Sequence, residues 1–417
     1  MAVKIKKIVL AYSGGLDTSV ILPWLKEKYG CKIVAFAAEL GQGSELQGVR
    51  KKALASGADK CVVADLRKVF VEEYLWSMLK SGAVYENGYL LGTSIARPLI
   101  AKEQVRVAHQ EGADAVSHGA TGKGNDQVRF ELTFMALDPS LKIIAPWKDP
   151  SFDLTSREAA VDYAKKHKIP IEQSKKKIYS RDRNIWHISH EGADLEDPAN
   201  EPQDHLFVIS NPIGKTPNRA EYVEVGFEKG VPVKLNGKKT GSVKIVEELN
   251  RIGGKHGVGQ VDLVENRLVG MKSRGVYETP GGTILTIAHK AMETLCLDRM
   301  TAQHKQHNAI KYAELVYNGQ WFTPLREALD AYFDSTQQPV TGKVRLKLYK
   351  GNCTLAGVES PNSLYANDLA SFTMGAEYDS ADADGFIRLL GLPMKVAALK
   401  KSNKATKKQS NKGRKKN

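Results

Sequence analysis

Through the first part of the chain, short apolar runs rich in β-branched residues alternate with longer stretches whose apolar positions recur at helical spacing. Lys7–Ala11, Lys32–Ala38, Lys60–Ala64, Ala113–Ser117 and Ile143–Pro146 have the length and make-up of buried strands. The stretches from Thr18 to Tyr29, near Ser44–Ser56, near Val69–Lys80 and over Ile95–Glu111 predict helices. Strands alternating with helices imply a parallel sheet covered on both faces, with ligands held beyond the carboxyl ends of the strands. A helix over Thr155–Lys168, stopped by Ile169-Pro170, closes this part. Pro23 lies past the first turn of the first helix, which predicts a kink or a later start there.

Beyond this the pattern changes character. Asp197 to Pro217 is rich in Pro, Asn and Gly and reads as loop. Strands are expected over Glu221–Phe227, Val231–Leu235, Gln260–Glu265 and Val344–Tyr349, and helices over Ser242–Arg251, Thr283–Thr301 and Thr323–Tyr332, a mixture that indicates an α+β region. Ala383–Leu399 has helical spacing and many apolar side chains but little chain after it to pack on, so it is expected to lie on a neighbouring subunit.

Candidate chemistry concentrates where expected strands end. Ala11-Tyr12-Ser13-Gly14-Gly15-Leu16-Asp17-Thr18-Ser19 reads strand, tight glycine turn, helix. Two glycines remove the Cβ atoms that would hold an anion away, and the first N–H groups of the helix converge on it. Neither the Walker spacing nor the dinucleotide Gly-x-Gly-x-x-Gly spacing is present. An ordinary βα turn with capping hydroxyls accounts for Gly-Gly and Ser alone, but not for the apolar strand leading straight into them. After Ala113–Ser117 comes His118-Gly119-Ala120-Thr121-Gly122-Lys123-Gly124-Asn125-Asp126-Gln127-Val128-Arg129-Phe130-Glu131. Its donors, acceptors and charges of both signs suit an α-amino acid, and Lys123 is placed to touch phosphate; a plain surface turn explains Gly-Lys-Gly-Asn-Asp equally well. In Tyr85 to Leu99, Thr93 or Ser94 is expected to cap a helix, and Arg97 to serve as a surface ion pair or an anion contact. His187 and His190, three apart, could share a helical face as metal ligands do, but no third ligand is evident, so a structural or substrate-orienting role is favoured.

Ser-Gly-Gly-x-Asp-Thr-Ser resembles the pyrophosphate loop of the ATP pyrophosphatases. Taken together in order, Ala11–Ser19, Leu91–Leu99, His118–Glu131, His187–Glu196 and Val264–Gly282 resemble the argininosuccinate synthases, from about Lys7 to about Leu399. The resemblance implies a parallel-sheet nucleotide-binding domain of the adenine nucleotide alpha hydrolase type over 1–170 and an α+β synthetase and multimerisation domain over 171–382. It also implies a C-terminal oligomerisation helix over 383–399 and a homotetramer. The activity implied joins L-citrulline to L-aspartate while ATP, with Mg²⁺, becomes AMP and diphosphate through a citrulline adenylate. ATP would lie on Ala11, Tyr12, Ser13, Gly14, Gly15, Leu16, Asp17, Thr18 and Ser19, with Ala38 and Gly119 beside the adenosine. Aspartate would lie on Thr121, Asn125 and Asp126, and citrulline on Tyr89, Ser94, Asn125, Arg129, Ser180, Ser189, Glu265 and Tyr277. Turnover would depend most on Asp17, Asp126 and Arg129.

Charge and cysteine usage narrow the alternatives. Nine of the basic residues behind the net charge of +14 fall within 400–417, a run without acids that is expected to be disordered and solvated. Such a run binds polyanions without needing a fold, so no specific nucleic acid is expected. Cys31, Cys61, Cys296 and Cys353 form no Cys-x-x-Cys pair, the apolar runs are too short to span a membrane, and the start leaves no room for a signal peptide, so a reducing cytoplasm is expected. Two rivals remain. A pyrophosphate-loop tRNA-modifying enzyme often needs sulfur-carrying cysteines or a basic RNA domain, and a nucleotide-dependent RNA-binding protein requires salt-sensitive RNA binding that survives loss of the tail.

Overall fold

The computed structural model describes residues 4–122, 124–154, 156–170, 179–370, 379 and 381–413. Met1–Leu364 form one compact unit and Tyr365–Asn417 a second. The first five strands, β1 (Lys7–Ala11), β2 (Lys32–Glu39), β3 (Lys60–Asp65), β4 (Ala115–Ser117) and β5 (Lys142–Ile144), make a parallel sheet in the order β3-β2-β1-β4-β5. Side chains alternate across it: Ile8, Leu10, Ile33 and Ala35 pack with the helices Leu16–Tyr29 and Arg157–Lys166, while Val9, Val34 and Phe36 pack with 67–81 and Gly92–Glu111. The strand order reverses at β1, so the loops leaving β1 and β4 face each other across the carboxyl edge.

Two antiparallel sheets follow. One holds β6 (Ser180–Arg183), β7 (Ile188–Glu191), β11 (Gln260–Asn266) and β12 (Lys272–Glu278) in the order β11-β12-β7-β6. The other joins β8 (Glu221–Glu228), β9 (Val231–Leu235), β10 (Lys238–Lys239), β13 (Gly342–Tyr349) and β14 (Asn352–Glu359) in the order β10-β9-β8-β13-β14. The division expected at residue 170 is a change of sheet type rather than a break in packing, because a single apolar cluster runs from Val9 and Phe36 to Ile284, Tyr312 and Leu348.

Several expectations need correcting. The first helix starts at Leu16 and carries Pro23 within a continuous span to Tyr29, so no later start is needed. The expected helix over Thr283–Thr301 is two helices, Pro280–Cys296 and Arg299–Tyr317, divided where Asp298 accepts hydrogen bonds from the Met300 and Thr301 N–H groups as an N-cap. The expected helix near Ser44–Ser56 is a 3₁₀ turn, Gly43–Leu46, followed by the helix Val49–Ala55. In the second unit, Ala381–Gly413 is one helix, so the helix expected to stop at Leu399 before a disordered tail runs on through most of the basic residues. Lys, Ala and Gln are good helix formers, and no Gly or Pro falls between Val396 and Gly413 to stop it. No helix among the described residues is long and apolar enough to cross a membrane.

The four-stranded sheet has one face sealed by a buried carboxylate. Glu278 accepts from the N–H groups of Val208 (2.8 Å), Ile209 (2.9 Å) and Ser210 (2.7 Å) and from the Ser210 hydroxyl (2.7 Å). His190 Nε2 lies 2.8 Å from Glu278, and His190 Nδ1 accepts from Arg181 Nε at 3.1 Å. Burial opposes the charge on Glu278, but these donors outweigh it and hold the carboxyl below the ordinary range. Glu278→Gln is expected to cost about 3 kcal/mol in urea unfolding. Because the folded-state pKa is lowered, the wild-type advantage should be full above about pH 4.3 and shrink as the pH falls further.

Candidate functional site

β1 ends at Ala11, and the chain turns through Tyr12-Ser13-Gly14-Gly15 into the helix Leu16–Tyr29. Gly14 has φ +77°, a left-handed conformation that strains any side chain. Ser13 Oγ accepts from the Gly15 N–H at 3.2 Å and lies 3.2 Å from Thr18 Oγ1, and Ser19 Oγ donates to Gly15 O at 2.7 Å. The buried Tyr12 places its hydroxyl 3.0 Å from Ser19 Oγ. No side chain caps this helix. Its first-turn N–H groups, those of Leu16, Asp17 and Thr18 among them, therefore present the positive end of the helix dipole at the corner. Lys52 donates from the neighbouring helix to Gly14 O.

Ala38 is buried at the carboxyl end of β2, on the same edge as the corner. Gly119 follows β4, and a Cβ there would come within 2.8 Å of Thr18 Cγ2, so the second loop can lie against the first only as glycine. Thr121 is exposed on this loop. Lys123, the candidate phosphate contact, lies outside the described residues.

Asn125 and Asp126 begin the helix Asp126–Leu137. The Asp126 carboxylate accepts from Arg97 Nε and from Arg129 Nη1, both at 2.8 Å, and Arg97 also donates to Asp182 on β6. Burial works against the charge on Asp126, yet Arg97 and Arg129 outweigh it and hold the carboxyl at about 2. Arg97 is thus a largely buried bridge, its side chain only 16% exposed, where a surface ion pair or an anion contact was expected. Thr93 and Ser94, expected as caps, sit inside the first turn of Gly92–Glu111, which starts behind Leu91 and has no side-chain cap. Their N–H groups donate instead to the Tyr89 hydroxyl, at 3.1 and 3.3 Å.

Strand pairing sorts the remaining candidates. Tyr277 on β12 lies opposite Ser189 on β7, and Ser189 opposite Asp182 on β6, so the three share one face. Period-two alternation adds Ser180, Glu191 and Glu265 to that face and sends His190 and Glu278 to the other. Tyr277 donates to Glu265, and its ring stacks on that of the buried Tyr89 at 4.6 Å. Burial raises the Tyr89 hydroxyl to about 12, so it stays protonated. The structure therefore brings Tyr89, Ser94, Ser189, Glu265, Tyr277, Asn125 and Arg129 into one connected region, with Ser180 on the same sheet face but exposed at the outermost strand.

His187 and His190 do not share a helical face: His190 is in β7 and His187 just precedes it. His187 Nε2 lies 3.0 Å from Thr93 Oγ1, and burial, aided by Arg97, pushes its imidazole down to about 3, which keeps it neutral. Sequence reasoning missed Asp182, Glu191 and Tyr317. The Tyr317 hydroxyl accepts from Asn125 Nδ2 at 2.9 Å and donates to Glu265 at 2.5 Å. Its only local signal is the helix end before Gly319, which has φ +73° and where a Cβ would come within 2.7 Å of Arg129 Cα.

Comparison with known proteins shows the family of the chain. The Arginosuccinate synthase N-terminal HUP domain family matches residues 7–170, and the Arginosuccinate synthase C-terminal domain family matches residues 179–397. The chain is 60% identical over 394 residues to the argininosuccinate synthase of Carboxydothermus hydrogenoformans, covering 94% of this chain and 98% of that one. It is 61% identical to that of Moorella thermoacetica, covering 94% and 96%. It is 59% identical to that of a Roseiflexus species, covering 96% and 98%.

The Arg97 bridge carries a measurable expectation. Arg97→Leu leaves two carboxylates without their shared counter-charge and is expected to cost about 3–5 kcal/mol in urea unfolding. The Asp126 carboxyl, at about 2 in the wild type, should rise in the variant when followed by NMR titration. A lowered folded-state pKa contributes stability above the unfolded value of about 3.9, so the difference between the two proteins should narrow as the pH falls from there.

Proposed function

The chain belongs to the argininosuccinate synthase family, ATP-dependent ligases that join citrulline to aspartate in arginine biosynthesis, and on that premise we propose how its residues divide the work. The observation that carries the reading is the uncapped helix start behind Gly14, set at the carboxyl edge against the Gly119 loop. The phosphates of ATP rest on Ser13, Gly14, Gly15, Asp17, Thr18 and Ser19, within the stretch Ala11 to Ser19, while Ala38 and Gly119 border the adenosine. The Asp17 carboxylate and the hydroxyls of Ser13 and Thr18 are hard oxygen donors of the kind that suits Mg²⁺ held through nucleotide phosphates. When bound, the ion would neutralise charge on the departing diphosphate.

Citrulline lies along the sheet face bearing Ser180, Ser189, Glu265 and Tyr277, with Tyr89, Ser94, Asn125 and Arg129 closing the other side. Aspartate lies on Thr121, Asn125 and Asp126. A ureido carbon is a poor electrophile, so the ureido oxygen of citrulline attacks the α-phosphorus of ATP and diphosphate leaves. The aspartate amine then attacks the ureido carbon, loses its proton, and AMP departs. No covalent enzyme intermediate is required, so the protein contributes alignment and N–H groups aimed at developing negative charge. Arg129 is held by Asp126 on its own helix and by Tyr317 at the end of another.

The cytoplasm is the proposed location, on the reading of four cysteines without disulfide spacing. Assembly as a homotetramer is proposed from the second unit, whose helix exposes Phe386, Ile387, Leu389, Leu390 and Met394, an apolar surface that a partner would cover. Sedimentation equilibrium is expected to return four chains per particle, and Leu390→Asp with Met394→Asp to return fewer.

Incubation with ATP and citrulline, with and without aspartate, is expected to yield AMP and diphosphate; ADP and orthophosphate would contradict the reading. Asp17→Ala is expected to lower kcat by roughly 100-fold or more while near-wild-type thermal unfolding is retained.

A further inference from the structure

We propose that Tyr317 is a positioning residue that holds the Asn125 amide, the Arg129 guanidinium and the Glu265 carboxylate in the one arrangement that receives both amino acids. The inference rests on the ligase reading above and adds a residue that touches no substrate in it.

Tyr317 ends the helix Arg299–Tyr317, far in sequence from every loop it meets, and is 1% exposed. Its hydroxyl carries a single hydrogen, donated to Glu265 Oε2 at 2.5 Å. A carboxylate offers no hydrogen in return, so the hydroxyl is an acceptor towards its other partner, Asn125, 2.9 Å away. That choice has a consequence for the Asn125 amide, whose two ends are alike in shape. Only the nitrogen can face Tyr317, and the oxygen is left to accept from the Leu268 N–H at 2.9 Å. One nitrogen hydrogen of Asn125 then remains for a substrate oxygen.

The same residue orders Arg129 in two further ways. Its carbonyl accepts from Arg129 Nε at 2.9 Å, and its ring lies 4.9 Å beneath the guanidinium carbon. Tyr85 stacks nearly parallel on that ring at 3.7 Å, so the aromatic plane has little room to turn. Tyr277 supplies the second donor to Glu265, which leaves this carboxylate bonded on both oxygens. Donors and acceptors therefore run in one direction, from the Asn125 amide through the Tyr317 hydroxyl to Glu265, each bond polarising the next.

Tyr317→Phe removes one oxygen and keeps the ring, the carbonyl and the stacking. The Asn125 amide loses one of the two hydrogen bonds that fix it, with only the Leu268 N–H left to hold it, and Glu265 loses a donor. Steady-state kinetics are expected to show KM for citrulline and for aspartate each raised roughly tenfold, the size of one hydrogen bond to a charged group, with KM for ATP within about twofold of wild type. In an Asn125→Ala background the same substitution should add less than about twofold to the aspartate KM, because the group it orients is already gone. Three KM values that move together, KM values that do not move, full additivity with Asn125→Ala, or a variant that no longer folds would each overturn the proposal. A wild-type chain that makes no AMP and diphosphate from its three substrates would overturn the ligase reading and this inference together, whereas an active wild type with an indifferent Tyr317→Phe sinks the inference alone.

Discussion

The arrangement depends on a guanidinium held between two carboxylates. Arg97 projects from the helix Gly92–Glu111 and bridges Asp126, at the start of the helix after β4, to Asp182 on β6. One partner belongs to the parallel sheet's edge and the other to the antiparallel sheet, so the bridge ties together the two halves of the site. A buried charge left alone is costly, and burial acts against ionisation at Asp126. The two carboxylates and the second arginine, Arg129, balance the cluster in formal charge, and the two arginines keep Asp126 ionised although burial opposes its charge.

From that tie the rest follows by geometry. The reversal of strand order at β1 sets the glycine corner of Gly14 and Gly15 opposite the Gly119 loop, and the missing Cβ at 119 allows the two to touch. Period-two alternation in β6, β7, β11 and β12 then assigns the polar residues to sides. One face presents Asp182, Ser189, Glu265 and Tyr277 to the site, and the other encloses His190 and Glu278. A one-residue slip in the pairing would exchange the two sets, so the many donors to Glu278 also protect the register of the face that bears Ser189, Glu265 and Tyr277.

Local sequence was a good guide wherever a side chain's surroundings are set within a few residues. The corner at Ser13-Gly14-Gly15, the parallel sheet and four of the nine described strands of the second half were legible because a β-branched run, a glycine turn and an amphipathic stretch each carry their own signal. Helix ends were less so. The single expected helix over Thr283–Thr301 hid the Asp298 cap, and the helix Ala381–Gly413 outran its apolar residues because charge alone does not stop a run of good helix formers.

The sequence by itself determined that an apolar strand delivers a bare glycine corner and a helix start to one edge of a sheet, since steric freedom at Gly14 and the dipole of the following helix are properties of a few consecutive residues. It also displayed, as a resemblance, the motifs that name the family. Only the tertiary structure decided that Arg97 is a buried bridge, that His187 and His190 belong to extended chain, and that Tyr317 meets Asn125, Arg129 and Glu265. The reason is that hydrogen-bond partners 52 and 192 residues apart are set by how helices and sheets stack, and no local spacing encodes that.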